Sequence, residues 1–320
     1  MEIYNRLPEH TSPRVLVLGT FDGLHLGHMR IFKRAREKSN KLNIPLTVLT
    51  FEPSPEEYFN NIPASERRLL TRIDKLNIMK DLGVDVVYEL EFDESIINYA
   101  PEEFVENILL ERLQARAICV GYDFKFGRRR CGDTELLQAY RSDSLDVEII
   151  SPFKKYGEPV SSSRIRKLIR SADMRRARKL LGRPYVVRET YRRGQGRGKS
   201  LGFPTINFSF TRTIRPRPGV YSVWLGREQR IPAVANFGVH PTVSELDEPV
   251  LEVHTLVEPP DIKPGAQMHT YFERFIRREE KFSSLEELRE AMTRDVNQAA
   301  EQFEDLEKPG VIHENNLEVD

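Results

Sequence analysis

The pattern of apolar runs changes once along this 320-residue chain, at Gly182-Arg183-Pro184, and that change limits the fold more than any single motif. From Arg14 to about Leu181, strand-like runs alternate with helical stretches. The strands read Val15–Leu18, Leu46–Leu49, Val84–Tyr88, Ala117–Val120 and Leu145–Ile150, with helices near 28–41, 71–82, 102–113, 134–141 and 162–181. Parallel strands need crossover connections, so this order predicts a five-stranded parallel sheet covered by helices. After residue 184 the runs shorten and are broken by Gly and Pro, as in Val220–Trp224, Ala233–Ala235 and Leu251–Leu256. That is the spacing of an antiparallel sheet or barrel. A helix closes the chain: Ser284 caps it with Glu287 three residues on, and Leu285, Leu288, Met292, Val296 and Phe303 recur on one face. The expected organisation is α/β: residues 1–182, then 183–306, then an acidic tail over 307–320. A single core seldom grows beyond about 250–300 residues, which favours two domains.

Composition excludes several classes. Hydrophobic residues make up 39% and the charges balance at 49 basic against 49 acidic, so the chain can fill cores and has no global attraction to polyanions. Cys119 and Cys131 are too few for a disulfide framework and read as bystanders in a reducing compartment. No run approaches the roughly 18 apolar residues of a membrane helix, and the first residues lack a basic region followed by an apolar block. A soluble cytoplasmic protein with no membrane partner is expected, and a homo-oligomer is left open. Charge is concentrated locally, with fourteen Lys or Arg against two acids between Arg164 and Lys199. A nucleic-acid-binding regulator would pair such charge with exposed aromatics, and only Tyr185 and Tyr191 fall within the span. No nucleic-acid partner is expected.

The first candidate site follows strand 15–18. Gly19-Thr20-Phe21-Asp22-Gly23-Leu24-His25-Leu26-Gly27-His28 leads into a helix carrying Ile31, Phe32 and Ala35 on one side. The glycines allow close backbone approach, and a helix N-terminus offers amides to an anion. His25 and His28, three apart at a helical turn, can face one bound group. Two imidazole donors on an α-phosphate would stabilise the charge that builds in nucleotidyl transfer. Asp123, Phe124 and Gly127 leave the fourth strand at its carboxyl end, where open parallel sheets bind ligands. Ser162, Arg164 and Arg166 open the next helix, a combination suited to terminal phosphates.

The second candidate site is Gly194-Gln195-Gly196-Arg197-Gly198-Lys199-Ser200-Leu201-Gly202-Phe203-Pro204-Thr205-Ile206-Asn207. It is not a P-loop, since Arg193 stands where that motif has its first Gly. It reads as a basic glycine flap able to close over phosphates through Gly194, Gly198, Lys199 and Gly202. In an extended segment Thr205 and Asn207 point to one side and offer neutral oxygens to Mg²⁺. On residues alone, a glycine-rich hairpin with turn-forming Thr and Asn stays open.

Taken together, the strand with its His25–His28 motif resembles the nucleotidyltransferase superfamily. With Val120–Gly132 and Ser161–Arg166 it is similar to the adenylyltransferase half of bacterial bifunctional riboflavin kinase/FAD synthetases. Gly182–Tyr185, the flap, Pro204-Thr205-x-Asn207, Pro218–Tyr221, Ala235–Gly238 with Pro241-Thr242, and Leu251–His254 follow in the order of riboflavin kinases. The resemblance spans about residues 13–305. It implies a Rossmann-like nucleotidyltransferase domain followed by a six-stranded Greek-key barrel with a closing helix. It also implies riboflavin, FMN, FAD and ATP as ligands, and phosphorylation of riboflavin followed by adenylylation of FMN. Among residues, it implies His25 and His28 as catalytic, with Gly19, Thr20, Phe21, Asp22, Gly27, Ser162, Arg164 and Arg166 around ATP. Asp123, Phe124, Gly127 and Pro204 would line flavin or nucleotide, Thr205 and Asn207 would hold Mg·ATP, and Glu252 would be the general base. This chain departs from the family pattern at Ser54 (a His), Glu189 (a Gly), Arg193 (a His) and the 258–265 loop. Those departures motivate an alternative, a kinase alone or an adenylyltransferase alone.

Overall fold

A computed structural model describes residues 1–9, 11–192, 202–226, 229–239 and 249–304. The chain divides into two compact units: Met1–Ile62 with Arg72–Ser161, and Pro63–Thr71 with the described residues from Ser162 on.

In the first unit, β1 (Glu2–Tyr4), β2 (Arg14–Leu18), β3 (Leu46–Phe51), β4 (Val86–Leu90), β5 (Ala115–Gly121) and β6 (Asp146–Ile150) form one sheet in the order β1-β4-β3-β2-β5-β6. Every pairing in it is parallel. Its middle strands are mostly apolar, as expected of a sheet covered on both faces, and β2 is buried at all its positions, Arg14 included. The sheet has one strand more than expected. β1 is a three-residue edge strand whose side chains are all exposed, so it carries no apolar signature, and it pairs with β4 while Tyr4 stacks on Tyr88. Beside the expected α1 (Leu26–Leu42) stands α2 (Pro55–Asn60), too short to show a period. Ser54, where the family pattern has a histidine, is its N-cap and forms a capping box with Glu57.

The helices α3 (Ala64–Arg67), α4 (Arg72–Asp81), α5 (Glu94–Ile97), α6 (Pro101–Glu103, running on as a π-helix over Phe104–Arg112) and α7 (Thr134–Ala139) follow. A small hairpin, β7 (Lys154–Lys155) with β8 (Glu158–Pro159), completes the first unit. The chain leaves β2 toward β3 on one side and enters β5 on the other. The carboxyl ends of β2 and β5 therefore flank the point where the strand order reverses, the usual ligand crevice of open sheets.

In the second unit the expected helix over 162–181 is two helices, α8 (Ser162–Arg170) and α9 (Met174–Leu181). Ala172 takes a positive φ of 66°, which stops α8, and Asp173 then caps α9 by accepting from the Arg176 N–H at 3.0 Å. The barrel strands are β9 (Tyr185–Arg192), β10 (Ile206–Ser209), β11 (Gly219–Leu225), β12 (Ile231–Val239), β13 (Pro249–Thr255) and β14 (Gln267–Arg277). They close in the order β10-β13-β12-β11-β14-β9, antiparallel throughout. β10 lies beside β13 rather than beside its successor β11, which makes the connection a Greek key. Tyr185, Phe208, Tyr221, Phe237, Leu251, Val253 and Phe272, all buried, form the core.

The closing helix α10 (Leu285–Glu304) starts as expected, with Ser284 Oγ accepting from the Glu287 N–H at 3.1 Å. Its buried face keeps Val296 and Phe303 of the expected one, adds smaller residues and loses Leu285. Ala291, Asp295 and Ala299 are buried, with Val296 and Phe303 packed beside them, while Leu285 is 70% exposed. Small residues let the helix lie close to β11 and β12, and Arg277 holds Asp295 with two hydrogen bonds of 2.8 Å. An apolar-period count passes over both devices. Residues 63–71 belong to this unit too: Ile214 and Arg215 N–H donate to Arg68 and Ser65 carbonyls, and Arg166 and Arg170 donate to those of Arg67 and Glu66.

Candidate functional site

The turn after β2 is built by backbone that few L-residues adopt. Phe21 has φ 51°, Gly23 80° and Leu24 37°, and the chain then straightens at His25 (φ −76°, ψ 173°), the N-cap of α1. His25 Nδ1 accepts from the His28 N–H at 3.3 Å, which puts the proton of the neutral ring on Nε2. The two imidazoles lie nearly parallel, 14° apart with centroids at 3.7 Å, so they act as one face. The Phe21 side chain is not available to a ligand. Its ring is buried and props the edge of His28 at 5.3 Å. Gly27 packs closely: a Cβ there would sit a tight 3.2 Å from the His25 ring and an ordinary 3.5 Å from the Val160 carbonyl. Thr20 is exposed and Asp22 half-buried in the same turn, and Gly19 N–H reaches the Leu49 carbonyl at 3.3 Å.

Beyond β5, Asp123 is exposed, Phe124 stacks on Phe126 at 5.5 Å, and Gly127 (φ 69°) is tucked against Pro101. Ser162, Arg164 and Arg166 lie in the first turns of α8, in the second unit, and Arg166 is buried with its Nε on the Arg67 carbonyl at 2.8 Å. One feature escaped the sequence reading. Phe51, at the end of β3, and Phe92, just after β4, form an aromatic cluster with Tyr58 and Phe59, of which Phe59 is 62% exposed. An exposed aromatic face at the carboxyl end of a sheet suits a planar ring. The available signal was Ser54-x-x-Glu57, a capping box that sets a helix start before two aromatics.

The barrel site is assembled by register. Asn207 on β10 pairs with Glu252 on β13, Glu252 with Asn236 on β12, and Asn207 also with Arg192 on β9. Directly opposed residues on adjacent strands share a face, so these four side chains form one row on the outside of the barrel. Along β13 burial alternates, with Leu251 and Val253 inside and Glu252 and His254 outside. Thr205 immediately precedes β10, half-buried, and Asn207 is only 9% exposed. His254 Nδ1–H donates to the Pro204 carbonyl at 2.9 Å and its ring meets Phe203 edge-on, fixing the approach to Thr205. His254 and Asn236 were missed as site residues, although the i, i+2 spacing from Glu252 marks the first. Asn236 Nδ2 donates to Glu279 at 3.5 Å, and Gly238 leaves room for that carboxylate, which a Cβ would overlap.

Gly202 has φ 88° with open space around it. Gly194, Gly198 and Lys199 lie outside the described residues, as do Arg193 and the 307–320 tail. Glu189, where the family pattern has Gly, points into the barrel and is 2% exposed. Its Oε1 accepts from Thr211 and Arg212 N–H at 3.1 and 3.3 Å, and burial pushes its carboxyl up to about 7. The substitution thus holds the loop after β10. Burial likewise pushes the Cys119 thiol up to about 12, which keeps it inert.

A parallel sheet with paired histidines at its switch point is joined in one chain to a closed barrel with a Thr-x-Asn and a strand carboxylate, the layout expected of a transferase that uses nucleotides. Comparison with known proteins makes this specific. The FAD synthetase family matches residues 7–164 and the riboflavin kinase family residues 181–303. The chain is 36% identical over 300 residues to the bifunctional riboflavin kinase/FMN adenylyltransferase of Escherichia coli (strain K12), covering 92% of this chain and 94% of that one. It is 35% identical over 300 residues to the protein of that name from Haemophilus influenzae, covering 91% and 96%. A crystal structure described as a macrolide-efflux protein from Streptococcus pneumoniae superposes with a TM-score of 0.81 at 30% identity, covering 90% of this chain and 94% of that one. Among the described residues of this chain, no helix is long and apolar enough to cross a membrane. The chain belongs to the bifunctional riboflavin kinase/FMN adenylyltransferase family. Both family domains are present, so its domain content does not favour the alternative of a kinase alone or an adenylyltransferase alone.

Proposed function

We propose that this chain carries out two successive ATP-dependent steps: phosphorylation of riboflavin to FMN by the 183–306 half, and transfer of AMP to FMN by the 1–182 half, giving FAD and pyrophosphate. The observation that carries the reading is that each half builds its own constellation, the stacked His25/His28 pair in one and the Arg192–Asn207–Glu252–Asn236 row in the other.

In the adenylyl step, ring N–H groups of His25 and His28 donate to the α-phosphate as its charge rises, and the turn at Gly19, Asp22 and Gly27 brings backbone amides beside it. Ser162, Arg164 and Arg166 hold the β- and γ-phosphates through hydroxyl and forked guanidinium donors. Asp123, Phe124 and Gly127 line the nucleotide or flavin, with the Phe59 cluster as a platform for a flat ring.

In the kinase step, Glu252 takes the proton of the ribityl 5′-hydroxyl as its oxygen attacks the γ-phosphate. Pro204 borders the flavin or nucleotide, and the flap with Gly194, Gly198, Lys199 and Gly202 covers the phosphates. Among the described residues no group of three His, Cys, Asp or Glu is placed to hold a metal, so a dedicated carboxylate cage is absent there. The donors present are neutral: the Thr205 hydroxyl and the Asn207 amide oxygen, the second beside Glu252. That set fits Mg²⁺, which binds through few protein oxygens together with phosphates and water. When bound, the ion neutralises charge on the β- and γ-phosphates.

The test is a pair of single substitutions assayed for both steps. His28→Ala is expected to abolish FAD formation and spare FMN formation, while Glu252→Ala does the reverse when FMN is supplied. Equal loss of both activities in each variant would contradict two separate sites.

A further inference from the structure

The loop that follows β5 carries Arg128, Arg129 and Arg130, all exposed, and none pairs with a carboxylate among the described residues. Asp133, the acid that ends the loop, is already engaged. It caps α7 by accepting from the Glu135 and Leu136 N–H groups, both at 3.1 Å, and it pairs with Lys125 at 3.2 Å. Hydrogen bonds from the Leu136 amide and from Lys125 hold its carboxyl below the ordinary range.

The loop is also held rigidly. Phe126 and Gly132 exchange backbone hydrogen bonds of 3.0 and 2.9 Å across its base, and the Arg128 N–H reaches the Tyr99 carbonyl at 2.8 Å. Phe126 packs on Phe104 and Phe124, and Gly132 is closed down on the Phe126 ring, 2.7 Å from where a Cβ would stand. Within this frame two successive arginines, Arg129 (φ 54°) and Arg130 (φ 59°), occupy the left-handed region that glycine adopts freely and branched or long side chains do not. Glycine would suit that backbone better. Strain kept on two adjacent cations is a marker of function.

We propose that Arg129 and Arg130 form the acceptor-phosphate subsite of the adenylyl half, binding the phosphate monoester dianion of FMN and so distinguishing FMN from riboflavin. This rests on the adenylyl reading given above. The chemistry requires such a group. A non-bridging oxygen of the FMN phosphate must form a bond to the α-phosphorus of ATP while the bond from that phosphorus to the α,β-bridging oxygen breaks and pyrophosphate leaves with the electron pair. Both reactants are anions and repel each other, so the acceptor needs cations of its own beside those on ATP. Guanidinium forks match phosphate oxygens in pairs, which a lysine point charge does not.

The experiment uses the full chain with Arg129→Gly and Arg130→Gly together, which removes both charges and suits the backbone. Expected results are an unchanged or higher melting temperature, unchanged conversion of riboflavin to FMN, and a KM for FMN in FAD formation raised about tenfold or more. The wild-type KM for FMN should also rise between about 0.05 and about 0.3 M salt, and the variant's much less. A KM for FMN within twofold of wild type would overturn the proposal. Should both activities fall together, modification of the wild-type arginines by phenylglyoxal decides: FMN protects Arg129 and Arg130 and riboflavin does not, and equal rates with the two flavins overturn the proposal. A wild-type chain that makes no FAD from FMN would instead remove the adenylyl reading beneath it.

Discussion

The two candidate sites are built on opposite plans. The histidine site is contiguous: ten residues from Gly19 to His28 hold the glycines, both imidazoles and the helix N-terminus, and local backbone sets their geometry. The barrel site is dispersed, with Arg192, Asn207, Asn236 and Glu252 on four strands meeting only because the register aligns them. A site encoded in a turn depends on local conformation, whereas one encoded in register depends on the closed barrel. The first should tolerate changes elsewhere in its sheet, and the second should respond to whatever loosens the barrel.

The largest effects separate the two sites: His28→Ala and Glu252→Ala should each remove one activity by a factor of hundreds or more and leave the other, read as FAD and FMN formation. Next in size is the seal of the barrel. Replacing Arg277 by Ala leaves the buried Asp295 without its two guanidinium bonds, which for this part-buried pair costs about 2–3 kcal/mol. Kinase activity should then be lost at a lower temperature than adenylyl activity, as assayed after graded heating. Loss of both at one temperature would show that the units do not unfold separately.

A smaller, pH-dependent effect belongs to Glu189. Its folded carboxyl holds a proton up to about 7, because burial outweighs the Thr211 and Arg212 amides and the Arg212 and Arg192 charges, while the unfolded chain releases it near 4.5. Folding therefore loses stability as pH rises from about 4.5 through 7, by an amount on the order of 3 kcal/mol. Glu189→Gln removes that slope, so the stability difference between variant and wild type should shift toward the variant between pH 5 and pH 8 in urea titrations. A constant difference would contradict it. Smallest is the α10 cap, where Ser284→Ala should cost about 1 kcal/mol.

The same contrast decides what was legible in the sequence. The sheet could be read because β2, β3 and β5 are apolar runs, and the His25 turn because its glycines and histidines are adjacent. The edge strand β1 and the helix α2 were missed because three exposed residues and a six-residue helix show no period. The closing helix was read on the right face through Val296 and Phe303, but its exposed first residue, Leu285, and the packing contributed by Ala291, Ala299 and the Arg277–Asp295 ion pair leave no mark in an apolar count. Asn207 was picked out by its spacing from Thr205 and Glu252 through the family resemblance, but their neighbours Asn236 and Arg192 needed the strand register. The break between α8 and α9 lies in one residue, Ala172, whose positive φ has no compositional mark.

The central claim is that one chain performs both steps at two separate sites. Its most direct test is a chromatographic time course of the purified protein with riboflavin, excess ATP and Mg²⁺, resolving riboflavin, FMN and FAD. The account predicts that FMN appears first and FAD follows from it. FMN that accumulates without FAD, and stays unchanged when supplied as the substrate, would contradict it.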